Sequence, residues 1–141
     1  VDGPEAAAAF ADALVGPPRQ AVGRNAIGGA LLDAKRLIEM NDFDGWRKVI
    51  DFSGDSPNSF SGPSIAFARD EVLAAGIVIN ALAISTADRP YLPDAYRDQI
   101  IGGPGAFVVE AEGREDFADA VRRKLILEIG GLTPVPRIAA R

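Results

Sequence analysis

The segment Asp51 to Ser59, DFSGDSPNS, places two carboxylates, three hydroxyls and an amide within nine residues, directly after the apolar pair Val49-Ile50. Such a set serves a hard-cation site, a phosphate loop, an activated serine, or a solvated turn whose hydroxyls cap the next helix. The composition prunes these. The chain has no histidine and no cysteine, so imidazole bases, imidazole or thiolate metal ligands, thiol nucleophiles and disulfides are all excluded. Ser53 and Ser56 therefore lack an imidazole to activate them, and SGDSP is not a nucleophile elbow. No lysine follows Gly62, and Asp55 would repel a phosphate. Two readings stay open: a turn capping the following helix, and an oxygen-ligand site for Mg²⁺, Ca²⁺ or Mn²⁺.

Other acidic pairs, Asp51/Asp55, Glu110/Glu112 and Glu115/Asp116, have the spacing of acid–base couples, but acidic surface turns are the commoner meaning of such pairs. GGPGAF at 102–107 lacks the spacing of a dinucleotide loop and precedes a strand-like run, so it reads as a tight turn. Trp46, Tyr91 and Tyr96 are too scattered to form a stacking platform. The net charge of −5 disfavours nucleic acid and anionic membranes, both of which need a basic patch. Arg122-Arg123-Lys124 lies among acids and reads as a helix face. The longest apolar stretch, around Ala74 to Ile84, is broken by Gly76 and Asn80 and is too short to insert across a bilayer.

The elements that would position DFSGDSPNS follow from periodicity. Helices are predicted over 4–14, with Pro4 in its first turn, and over 25–40, with Asn25 as N-cap and an apolar stripe of Ile27, Ala30, Leu31, Ala34, Leu37 and Ile38. A loop set by Gly16, Pro17 and Pro18 joins them. A strand over 46–52 leads into the polar loop, and a helix over 63–75 ends at Gly76 as a left-handed cap. A buried strand at 77–84, a helical turn at 94–100, a strand at 106–111 and a helix at 116–129 complete the order. The last helix is expected to bury a face of Phe117, Ala120, Val121, Leu125 and Ile129, and the tail 130–141 to be flexible.

Strands alternating with helices imply an α/β, Rossmann-like parallel sheet with helices on both faces. Within that scheme the strand at 47–52 presents an unpaired edge, and the two leading helices have no strand to cross over from. The expectation is that N-terminal strands precede Val1 or come from another chain. A self-contained three-strand domain is the alternative.

The segments VIDFSGDSPNS, GIVINALAI, YLPDAYRDQIIGGPGAFVV and FADAVRRKLILEI, with DGPEAAAAFADAL at 2–14, resemble a bacterial family of uncharacterised proteins with a von Willebrand factor A-like domain. The resemblance runs from residue 2 to Ile129. It implies a six-stranded domain whose last three strands are those named above, so that 1–129 is its C-terminal portion. It also implies a divalent-cation adhesion site built from three loops. Asp55 matches the aspartate after the fourth strand, Asn25 stands where a threonine is usual, and Ser53 is the hydroxyl beside Asp55. The D-x-S-x-S motif of the first loop is not among these residues. An asparagine is neutral and longer than threonine, and one carboxylate with neutral oxygens cannot hold Mg²⁺ against water.

The function expected is a non-enzymatic protein-binding or assembly module, with Mg²⁺ or another divalent cation as cofactor if the site is complete. A metal-independent structural subunit of a larger complex is the alternative, and a carboxylate-and-metal hydrolase is a distant third. The partners expected are proteins, including the missing N-terminal half, with no nucleic acid and no membrane insertion. The resemblance implies a periplasmic or secreted location.

Overall fold

A computed structural model describes residues 3–18 and 24–130. Among them, three parallel strands form one sheet in the order β1 (Val49–Gly54), β2 (Val78–Ser85), β3 (Val108–Glu112). Five helices accompany them: α1 (Pro4–Val15), α2 (Ile27–Met40), α3 (Ile65–Ala74), α4 (Leu92–Gln99) and α5 (Phe117–Gly130). This is the Rossmann-like α/β arrangement that strand–helix alternation predicts.

β2 is central and buried on both faces, as a doubly covered parallel strand must be. Alternation sends Ile79, Ala81 and Ala83 to one face, where they join Ile50 in a core with Ile27 and Leu31 of α2, Ala68 and Val72 of α3, and Leu92 and Tyr96 of α4. Leu82 and Ala111 face the other way, under Ala120 of α5. The α2–α3 approach is close at Gly28, where a Cβ would lie 2.2 Å from the carbonyl oxygen of Pro63. Ser64 caps α3 by accepting a bond from Phe67 N at 3.2 Å. Gly76, at φ 71°, then supplies the left-handed turn that the sequence predicts. Gly103 and Gly105, at φ 94° and 72°, likewise form the tight turn leading to β3.

Several expectations need correcting. Asn25 is not the N-cap of α2: Ala26 holds that position without a side-chain cap, because a distant hydroxyl takes over the role. β1 begins at Val49 rather than 46, since the ladder runs only where β2 lies alongside, and Trp46 is 98% exposed. The inward face of α5 is rotated from the expected one: Leu125 and Ile129 are exposed, whereas Lys124 is buried. On α2, the stripe residues Ala30 and Leu37 are exposed while Ile27 and Leu31 are buried. α1 buries no residue. Residues 19–23 of the first loop, and the tail from 131 on, lie outside the described residues.

The two edges of the sheet differ. In a parallel pair, alternate residues turn both backbone groups toward the neighbour. Phe107 O accepts from Ala81 N, so Glu110 and Glu112 turn outward on β3. Both are clasped from α5: Arg123 Nη2 donates to Glu110 O at 3.2 Å, and Asp116 Oδ2 accepts from Glu112 N at 3.3 Å. Lys48 O accepts from Val78 N, so Val49, Asp51 and Ser53 turn outward on β1. Among the described residues, no strand pairs with that edge and no side chain bonds to its backbone.

Candidate functional site

The polar loop leaves β1 at its carboxyl end and folds back onto the start of α2. Ser59 Oγ accepts from Ile27 N at 3.0 Å and so satisfies a helix-start donor from 32 residues away. Phe60 N donates to Asn25 O at 2.7 Å, and the Arg24 guanidinium stacks 3.7 Å above the Phe60 ring. Inside the loop, Ser56 Oγ accepts from Asn58 N at 3.3 Å. The turn is thus held by serines, and the Asp55 carboxylate accepts no hydrogen bond among the described residues.

This docking creates a cleft of about 280 Å³ lined by Asn25, Ile27, Phe52, Ser53, Asp55 and Ser56. Asn25, Ser53 and Asp55, chosen from the sequence, therefore line one cavity, and all three are exposed. Asp51 is not with them. Its carboxylate instead meets Lys124, the buried lysine of α5.

The roles of two residues beneath the cleft escaped sequence reading. Tyr96 of α4 is fully buried, donates from its hydroxyl to Ser56 O at 3.0 Å, and meets the Phe52 ring edge-on at 5.2 Å. Burial pushes its hydroxyl up to about 12, with Asp55 adding to the shift while the Ser56 bond and Arg89 oppose it. Arg89 Nη1 donates to Asp55 O at 2.8 Å. The only signal for Tyr96 was its place in YLPDAY, one turn after the buried Leu92; Arg89 carried none.

The donor set can be tested against a divalent cation. Mg²⁺ requires about six oxygens in near-octahedral order. The cleft offers one carboxylate, two hydroxyls and one amide, and among the described residues no group of three or more acidic side chains converges on a point. The guanidinium bound to Asp55 O brings positive charge to the same loop. These residues alone do not fit a resident Mg²⁺.

A second polar constellation lies under α5. Lys124, its side chain 4% exposed, contacts the Asp51 carboxylate and lies 3.2 Å from Glu128 Oε1. Asn80, at the centre of β2, donates to the same Glu128 and accepts from Phe107 N at 3.1 Å. Burial lowers the Lys124 ammonium from its ordinary value, against the pull of Glu128. Every buried polar group there is partnered, which reads as a structural staple.

A parallel α/β sheet with a polar cleft at the carboxyl end of a strand defines a Rossmann-like domain, the class in which ligands meet the sheet at strand ends. The chain belongs to the family described as Protein of unknown function (DUF1194), whose model matches residues 1–133. No curated protein and no solved structure matches it.

Proposed function

We propose that this chain is a protein-binding or assembly module of von Willebrand factor A-like type, without chemistry of its own. The observation that carries this is the asymmetry of the sheet: β3 is closed by Asp116 and Arg123, while β1 offers Val49, Asp51 and Ser53 to a further strand. The cleft of Asn25, Ser53 and Asp55 adjoins the open edge, so a polypeptide adding to β1 also meets the cleft. Any Mg²⁺ or other divalent cation held there draws its remaining oxygens from such a partner or from residues beyond those described.

The metal-independent alternative is favoured by Arg89 on the Asp55 carbonyl and by the neutral Asn25. Calorimetric titration of Mg²⁺ and Mn²⁺ into the intact protein, wild type and Asp55→Ala, separates the two. Saturable heat that Asp55→Ala abolishes supports the cation. Partner association that needs no cation and survives Asp55→Ala supports the structural subunit. Val49→Pro removes an outward N–H from the open edge without touching the ladder to β2. If partner association is unchanged in Val49→Pro, β1 is not the binding edge and the module reading fails.

A further inference from the structure

A separate cavity of about 500 Å³ lies at the carboxyl ends of β2 and β3, lined by Ser85, Thr86, Pro90, Glu110, Glu112 and Gly113. Ser85 pairs with Glu112 and Ala83 with Glu110, so alternation puts the Ser85, Glu110 and Glu112 side chains on one face of the sheet. Ser85 is 7% exposed, and its hydroxyl is the one buried side-chain polar atom without a hydrogen-bond partner among the described residues. An unpaired buried hydroxyl is costly and calls for a partner. The carboxylates of Glu110 and Glu112 form no salt bridge and accept no hydrogen bond there either; each residue bonds only through its backbone. Of the neighbouring cations, Arg123 pairs with Asp116 at 3.1 Å and reaches Glu110 only at its backbone oxygen, feeling the Glu112 charge without a salt bridge to it, and Arg89 donates to Asp55 O at 2.8 Å.

We propose that this cavity binds a primary alkylammonium group. An ammonium carries three N–H donors, which match one hydroxyl and two carboxylates. A divalent metal finds no converging group of three acids among the described residues. Ala87 and Pro90 in the wall supply apolar surface for the methylene stem. The site is independent of the Asn25–Ser53–Asp55 cleft, and neither proposal depends on the other.

The test is an NMR titration of the ¹⁵N-labelled protein with 1,5-diaminopentane. Saturable shifts should centre on the amides of Ser85, Thr86, Glu110, Glu112 and Gly113. Tetramethylammonium at equal ionic strength, having no N–H to donate, should leave them in place. Ser85→Ala deletes an unpaired hydroxyl and Glu112→Gln lies on an exposed side chain, so both should fold; each should weaken binding about tenfold. Equal shifts with tetramethylammonium would mean charge screening alone and would overturn the proposal, as would unchanged affinity in both variants. Nα-acetyl-lysine methylamide, titrated alongside, identifies the source. Tighter binding than the diamine points to a lysine of a protein partner, and weaker binding points to a free polyamine.

Discussion

The ammonium of Lys124, buried beneath α5, sits against the carboxylate of Asp51 on β1, the strand at the open edge of the sheet. The contact ties the last helix to the first strand across β2. Burying a lysine is costly unless its partners are fixed, and here Glu128 is fixed in turn by Asn80.

Lys124→Met keeps the stem and removes the charge, leaving Glu128 without its cation in a site only 14% exposed. Stability should fall by about 2–4 kcal/mol, read as a lower urea midpoint at unchanged m-value. Asp51→Asn, at a side chain 43% exposed, should cost about 1 kcal/mol or less. A more stable Lys124→Met would show that desolvation of the lysine outweighs its pairing.

Tyr96 predicts an alkaline loss of stability. Its hydroxyl is raised from 10.0 to about 12, so above pH 10 the unfolded chain releases this proton while the folded protein keeps it. Stability contributed by Tyr96 is complete below pH 10 and is lost through the window up to about 12, by about 2–3 kcal/mol in all. Lys124, lowered by burial, acts oppositely, since stability is gained as pH rises from its folded value to 10.5. The difference between wild type and Tyr96→Phe in unfolding measured from pH 9 to 12 isolates the tyrosine. The phenylalanine variant should also lose about 1 kcal/mol at neutral pH, from the bond to Ser56 O.

Gly28→Ala should separate α2 from the turn before α3, because the new Cβ meets backbone rather than a yielding side chain. A loss of about 2–3 kcal/mol is expected, measured by chemical denaturation. Gly29→Ala is the control, since its nearest neighbour would be the Ala26 Cβ at 3.9 Å. It should be neutral or stabilising.

Ser59→Ala tests how the cleft is built. Removing the hydroxyl that accepts from Ile27 N should cost about 1 kcal/mol and loosen the loop, seen as faster hydrogen exchange of the Ile27 amide. Unchanged exchange would show that Phe60 and Asn25 hold the loop unaided.

Periodicity and punctuation determined the eight elements, their order and the α/β class, because burial on a helix or a strand imposes its own repeat. The run IVINALAI read as a doubly covered strand, and Gly76 as the cap that ends the preceding helix. Absence of histidine and cysteine limited the site to oxygen chemistry before any geometry was known. The tertiary structure decided the rest. It placed Asn25 beside Ser53 and Asp55 through the Ser59 and Phe60 bonds, set Tyr96 beneath them, and left Ser85 unpaired opposite Glu112. It also turned Lys124 inward and Leu125 outward, against the hydrophobic reading of α5. Local patterns carry the repeat of each element, but rotation about a helix axis and the meeting of loops distant in sequence depend on partners that no local pattern encodes.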